Sequence, residues 1–301
     1  MNNDNKTHSG FVALIGAPNV GKSTLVNRLV GTKVSIVTHK VQTTRALIRG
    51  IITHNNTQIV LVDTPGIFTP KRRLDRAMVT TAWSGAKDAD IVLVLVDAAK
   101  GPDEETEEVF ASLSKVKQEK ILVINKVDSV PRPSLLELAK KLNEGQQFSE
   151  TFMISALKGT GCDDLLDYLA KKLPEGPWYY PEDQISDMPM RQLAAEITRE
   201  KLYMRLHNEL PYASTVETES WEERPDGSVK INQIIYVERE GQKKIVLGTK
   251  GETIKAIGQA ARKELMEILE QKVHLFLFVK VRDHWSDDPE RYREMGLDYS
   301  N

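Results

Sequence analysis

A chain of 301 residues, 40% hydrophobic and 28% charged, is long enough for two cores and carries neither the charge excess of a disordered chain nor a collagen-like bias. A net charge of -2 excludes a protein that coats nucleic acid through a global positive field, so any such contact has to be local. The single cysteine, Cys162, excludes an internal disulfide, and no histidine pairs with cysteine or carboxylate at zinc-ligand spacing.

The first thirty residues lack the charged, apolar and small-residue sections of a signal peptide. The longest apolar runs, such as Ile91 to Val96, fall far short of the roughly 20 residues that span a bilayer. The expectation is a cytoplasmic protein. After a flexible tail over 1–10, apolar runs at 11–16, 46–53, 57–63, 89–97, 120–125 and 151–156, each bounded by turn residues, predict strands. Helical periodicity between them, as in Thr106 to Val116 and Ser134 to Leu142, predicts a mainly parallel, helix-covered sheet, so 11–173 reads as an α/β domain. Only His54-Asn55-Asn56 separates 46–53 from 57–63, too little for a helical crossover, which predicts one antiparallel hairpin.

The alternation stops near Leu173. Residues 174–190 hold four prolines and acidic clusters without periodicity and read as a linker, with Trp178, Tyr179 and Tyr180 expected to pin it. A smaller α+β domain over 191–301 follows. It comprises an amphipathic helix from Met190 to His207 with Leu193, Ile197 and Met204 apolar, a strand at 213–223, a turn at Pro225-Asp226-Gly227-Ser228 and a strand at 229–238. A Gly-rich loop, a helix from Glu252 to Leu269 and a last strand at 273–281 complete it. The tail aromatics Trp285, Tyr292 and Tyr299 are expected to pack against this domain, with stacking on bases the alternative.

Gly16-Ala17-Pro18-Asn19-Val20-Gly21-Lys22-Ser23, followed by Thr24, has P-loop spacing between a predicted strand and a predicted helix. Its glycines let backbone N–H groups converge on phosphate. Lys22 reaches the β- and γ-phosphates, Ser23 ligates Mg²⁺, and the helix N-terminus adds positive potential. Asn125-Lys126-Val127-Asp128 ends a strand, where side chains project into the crevice beyond the carboxyl ends of the sheet. A carboxylate at Asp128 accepts from both N–H groups of guanine's edge, and two such bonds at about 1.5–3 kcal/mol each give roughly a 10² to 10⁴ preference over adenine. Asp63-Thr64-Pro65-Gly66 ends another strand, placing Asp63 to hold Mg²⁺ through water and the Gly66 N–H to sense the γ-phosphate. Ser155-Ala156-Leu157 ends the last strand, with a backbone N–H expected at guanine O6.

Together these motifs resemble those of the translation-factor-related GTPases. The resemblance places the first switch loop at Gln42-Thr43-Thr44-Arg45, makes Thr44 the second Mg²⁺ ligand, and implies that Lys22, Thr44, Asp63 and Gly66 carry hydrolysis of GTP to GDP. Where several GTPases keep a water-orienting glutamine this chain has Ile67, as in the hydrophobic-substituted members, which implies slow intrinsic hydrolysis. Asn19 resembles a potassium ligand of some relatives; a loop-capping asparagine is the equal alternative.

In the second domain, Gly248-Thr249-Lys250-Gly251 fits the Gly-x-x-Gly loop of KH domains, with Lys243, Lys244, Lys255, Arg262 and Lys263 around it. The α-β-β-α-β order matches the KH type II arrangement. Lys243, Lys244, Gly248, Thr249, Lys250, Gly251 and Lys255 form the candidate RNA contact, beside an apolar groove expected near Ile254, Ile257 and the 234–237 strand.

Nearly the whole chain after the tail resembles the Era family, a P-loop GTPase followed by a KH type II domain. That resemblance implies a switch that binds the 3′ region of small-subunit (16S) ribosomal RNA and assists maturation of the small ribosomal subunit. It also implies peripheral association with the inner (cell) membrane, a monomer, and a short helix at 243–247, where composition alone equally suggests a strand. The alternative is a GTPase of tRNA modification or of a membrane partner, with the KH-like part as an interaction module.

Overall fold

The structure, a computed structural model, describes residues 6–207 and 210–299. They form two compact units, Met1–Asp187 with Met295–Asn301, and Met188–Glu294.

The first unit runs β1 (His8–Ile15), α1 (Lys22–Val30), β2 (Ile48–His54), β3 (Thr57–Asp63), α2 (Arg73–Asp88), β4 (Ile91–Asp97), α3 (Glu104–Ser112), β5 (Glu119–Asn125), α4 (Arg132–Asn143), β6 (Glu150–Met153) and α5 (Cys162–Lys172). The sheet order is β2-β3-β1-β4-β5-β6, parallel except for the β2-β3 hairpin. Every residue of β3 and β4 is buried, as expected for strands covered on both faces. Along β4, Leu93 faces a core with α1 and α5, whereas Val92 and Val94 face a second core with α2, α3 and α4. The hairpin closes through Asn55 and Asn56 at φ 47° and 61°, the backbone of a two-residue turn that matches strand twist.

Two sequence expectations are corrected in this unit, the start of β1 and the place of Tyr299. β1 begins at His8, not after Gly10: the polar His8-Ser9-Gly10 pairs with Thr57-Gln58-Ile59, and the Ser9 N–H donates to Pro174 O at 3.1 Å. Pairing with both neighbours overrides the polar composition. Residues 174–187, read as a linker pinned at Trp178, Tyr179 and Tyr180, are tied to the sheet. The Gln58 side chain accepts from the Tyr179 and Tyr180 N–H groups at 2.8 and 3.0 Å and donates to Tyr180 O at 2.8 Å. Backbone atoms of Tyr179 and Tyr180 on Gln58 thus hold this segment, and the Tyr179 ring lies against Phe11 at 4.9 Å. Ile51 N–H donates to Ile185 O at 2.9 Å, Ser186 Oγ to Arg49 O at 2.8 Å, and Arg49 pairs with Asp187 at 2.7 Å, so residues 185–187 lie against β2. Tyr299, grouped with this unit, lies under Arg73 at 4.8 Å instead of packing against the second domain.

The second unit runs α6 (Met190–Arg205), β7 (Ser214–Glu223), β8 (Val229–Val237), α7 (Glu240–Leu247), α8 (Glu252–Leu269), β9 (Val273–Val281) and α9 (Pro289–Glu294). β8 pairs antiparallel with β7 and parallel with β9. Helices α6 and α8 cover one face, burying Leu193, Ile197, Leu202, Ile257, Ala261 and Leu265. Met204 points out, 55% exposed, because Leu202 and Leu206 take the inward positions. Trp285 and Tyr292 are fully buried, and Trp285 Nε1 donates to Ala213 O at 3.0 Å. Residues 243–247 are helical, as the family resemblance implies.

Candidate functional site

Beyond the carboxyl ends of the first unit's strands lies a pocket of about 480 Å³. It gathers Pro18, Asn19, Gly21, Lys22, Ser23, Thr24, Thr44, Gly66, Asn125, Lys126, Asp128, Ser155, Ala156 and Leu157 into one wall. Four motifs spread over some 140 residues of sequence thus meet at one place. Gly16, Ala17, Val20, Asp63, Thr64, Pro65, Ile67 and Val127 stand outside that lining: Ala17 and Val20 face one core, Ile67 and Val127 the other.

The phosphate side is built around the start of α1. Gly21, at φ 100°, caps the helix, and a Cβ there would sit 2.2 Å from Asn125 Nδ2, so only glycine fits between the P-loop and the base-reading loop. Lys22 Nζ donates to Gly16 O at 3.0 Å and Ala17 O at 3.1 Å. Burial pulls its pKa down to about 8 against the opposing field of Asp63.

Asp63 is buried at the end of β3. Its Oδ2 accepts from Ser23 Oγ at 2.6 Å and Ser35 Oγ at 2.7 Å, and Ser23 Oγ lies 3.0 Å from Thr44 Oγ1. Its Oδ1 is buried with no hydrogen-bond partner. Burial raises this carboxyl's pKa, and the Ser23 and Ser35 hydroxyls and the Lys22 charge hold it down in part. The result is a compact set of oxygens with one uncommitted acceptor.

The base side is tied to the phosphate side. Asn125 Nδ2 donates to Val20 O at 2.8 Å, and its Oδ1 accepts from Lys126 N–H at 2.8 Å and Ala156 N–H at 2.9 Å. Asn125 is therefore a brace between two loops. Ala156 N–H is committed to it and Ser155 N–H to Thr160 O at 2.9 Å. Within the tripeptide, Leu157 N–H is left without a partner among the described residues. The Ser155 hydroxyl, aided by Lys158, holds Asp128 below the usual carboxylate range, so Asp128 is an acceptor at neutral pH.

Some contributors escaped sequence reading. Residues 36–41 and Ser129 also line the pocket. Asn27 organises the start of that loop, accepting from Val34 and Ser35 N–H groups, both at 2.9 Å. Arg28, from α1, donates to the carbonyls of Ala156 (3.0 Å) and Leu157. Only contact geometry reveals these residues, because no local spacing marks them.

In the second unit, α7 and α8 meet at Gly248-Thr249-Lys250-Gly251. A Cβ on Gly248, at φ 73°, would lie 2.2 Å from Thr253 Oγ1, which explains the glycine. Thr249, Lys250, Lys244 and Lys255 are exposed and Lys243 is partly so, leaving one polar, basic turn open to solvent. Of the expected apolar groove, Ile257, Ile234, Ile235 and Val237 are core residues and Tyr236 lies beneath Arg291 at 4.3 Å, whereas Ile254 is half-buried. The exposed apolar side chain just before the loop is Ile245, at 59%.

A family profile described as "50S ribosome-binding GTPase" matches residues 11–126, and one described as "KH domain" matches residues 209–286. GTPase Era of Brucella suis biovar 1 is 75% identical over 294 residues, covering 98% of this chain and 94% of that protein. GTPase Era of Mesorhizobium japonicum is 72% identical over 293 residues, covering 97% and 94%. The crystal structure of Era in complex with MgGDPNP and nucleotides 1506-1542 of 16S ribosomal RNA matches with a TM-score of 0.92 at 40% identity, covering 98% of this chain and all of that one. Aquifex aeolicus Era bound to GDP and AlF4⁻ matches with a TM-score of 0.91, also at 40% identity and the same coverage. Identity of this degree, sustained through both units, shows that the chain belongs to the Era family of GTPases.

Proposed function

We propose that the first unit's pocket holds GTP or GDP with Mg²⁺, and that the second unit binds the 3′ region of 16S ribosomal RNA, the protein acting as a switch in small-subunit maturation. The observation that carries the reading is the convergence of Lys22, Ser23, Thr44 and Asp128 on one pocket, with Asp63 directly behind Ser23. The related Era structure, holding MgGDPNP and a 16S fragment, supports both halves.

The oxygens present fit the metal. Ser23 Oγ, Thr44 Oγ1 and the uncommitted Asp63 Oδ1 form a hard, oxygen-only set, suited to an ion that keeps several waters and takes phosphate oxygens. When bound, Mg²⁺ supplies charge neutralisation at the β- and γ-phosphates. The chain's own groups do the rest. Lys22 exchanges two P-loop carbonyls for phosphate oxygens, and Gly66 N–H and Thr44 follow the γ-phosphate, so its loss frees both segments.

Ile67 is buried and its N–H donates to Gly16 O at 3.1 Å, so no side chain there orients water. Asn19 lines the pocket and its Nδ2 donates to His39 O at 3.0 Å, so its Oδ1 is the atom of that side chain that could take a cation. We place K⁺ there, supplying charge that an arginine finger supplies elsewhere. The reading also keeps the protein a monomer that associates peripherally with membrane; among the described residues no helix is long and apolar enough to cross one.

Calorimetry tests the nucleotide half. GTP and GDP are expected to bind at least about 100-fold more tightly than ATP. Asp128→Asn, which exchanges an acceptor for a donor, is expected to move the preference to xanthosine nucleotides. Equal affinity for ATP would overturn the assignment. Filter binding to a 16S 3′ oligonucleotide tests the other half, with no binding above a scrambled sequence as the failing result.

A further inference from the structure

The ammonium of Lys126 is held at two points. Its Nζ lies 2.6 Å from Asp97 Oδ2 and donates to Asn19 O at 2.7 Å. Asp97 ends β4, outside all four nucleotide motifs, and its side chain is only 8% exposed. The two carboxylate oxygens have separate tasks. Oδ1 accepts from Ala99 N–H at 2.9 Å, closing the turn after the strand, and Oδ2 faces Lys126. A neutral asparagine serves such a turn equally well. The turn therefore does not account for a charged group in so dry a place, where burial of an ion needs a partner.

Lys126 itself sits at φ 64°, a left-handed conformation that costs a non-glycine residue about 1 kcal/mol or more. The strain persists because both ends of the side chain are fixed: the backbone by Asn125 Oδ1, the ammonium by Asp97 and Asn19. With the charge tied off, the four-carbon stem is the part of Lys126 left to line the pocket, while Asp97 does not reach it. A pinned methylene chain beside Asp128 is an apolar wall for the flat face of a purine.

We propose that Asp97 is a positioning residue for guanine-nucleotide binding, acting through Lys126 to hold that wall against the base and to bind the base-reading loop to the P-loop at Asn19. The inference rests on the nucleotide reading above. Because Asn19 also holds His39, the same chain of contacts runs from the base side to the loop that carries Thr44.

The test follows release of mant-labelled GDP from the full-length protein by stopped flow, with steady-state GTP hydrolysis alongside. Asp97→Asn keeps the Ala99 turn and removes the charge. It is expected to speed release by about tenfold or more, as loss of a charge-assisted hydrogen bond predicts. The GTP KM should rise by a similar factor while kcat falls less than about threefold.

Lys126→Met keeps the stem and loses the ammonium, and should speed release comparably. Added to it, Asp97→Asn should change nothing further, since the two act as one unit. Asp97→Glu should recover most of the wild-type release rate, and Asp97→Ser, which also spares the turn, replaces the asparagine variant if that one fails to fold.

Unchanged release in Asp97→Asn, or effects that simply add in the double variant, would overturn the role of Asp97 while leaving the nucleotide site intact. Unchanged release in Lys126→Met would overturn the tether in the same way, whereas no saturable binding of mant-GDP to the wild-type protein would overturn the nucleotide reading on which the inference rests.

Discussion

The Gln42 side-chain amide donates to Asp75 Oδ1 at 2.9 Å, joining the pocket-lining loop after α1 to the first turn of α2. The other Asp75 oxygen accepts from Lys71 and Arg72 N–H groups at 3.0 and 2.9 Å, so a single buried carboxylate caps a helix and holds a loop.

Those two roles separate by mutation. Asp75→Ala removes cap and tie together and should cost about 1–2 kcal/mol in denaturant unfolding. Gln42→Asn tolerates the local φ of 58° but is too short to reach, so it should leave stability nearly unchanged and speed amide exchange over 38–44. Exchange as slow as in the wild type would show that the tie does not restrain the loop.

Lys22 gives the site a pH signature. Its pKa, lowered to about 8 by burial, should rise once phosphate replaces the carbonyls around it. A group whose pKa is higher in the complex favours binding fully below the free value and loses that contribution as pH climbs through it. Nucleotide affinity should therefore be flat near pH 7 and decline above about 8, with proton uptake on binding in calorimetry at pH 8.5. Constant affinity from pH 7 to 9 would contradict the assignment.

Asn19 predicts a cation effect. Replacing Na⁺ by K⁺ at constant ionic strength should raise the single-turnover rate of GTP hydrolysis, and Asn19→Ala should abolish that gain. The same rate in both salts removes K⁺ from the site.

Lys250, exposed at the tip of the Gly-x-x-Gly turn, should contact a phosphate. Lys250→Ala should weaken 16S oligonucleotide binding and lower the slope of log affinity against log salt by about 0.7, the single-strand value for one contact. An unaltered slope would move the contact elsewhere.

The sheet and the P-loop were legible because their signals are local: period, continuous apolar runs, and glycine spacing that only one loop geometry satisfies. Ser23, Asn125 and Asp128 carry that kind of signal. Arg28 and Asp97 do not, since each acts through residues far away in sequence, Arg28 on 156–157 and Asp97 on Lys126. The extra strand length at His8-Ser9-Gly10 was hidden for a related reason: its partners, Thr57 to Ile59 and Pro174, are non-local. The misjudged groove at Ile257 has another cause. Periodicity reports that a helix has an apolar face, but not whether that face meets the sheet or a ligand.

The stitching of 174–187 to β1, to Gln58 and to β2 bears on how this protein can be divided. A fragment ending at Leu173 would lose the bonds to Ser9 and Gln58 and the 185–186 contacts on the outermost strand, opening more of an edge that is the usual template for edge-to-edge aggregation. Ending at Asp187 keeps that border closed. The shorter piece should sediment as oligomers, and the longer one should stay monodisperse.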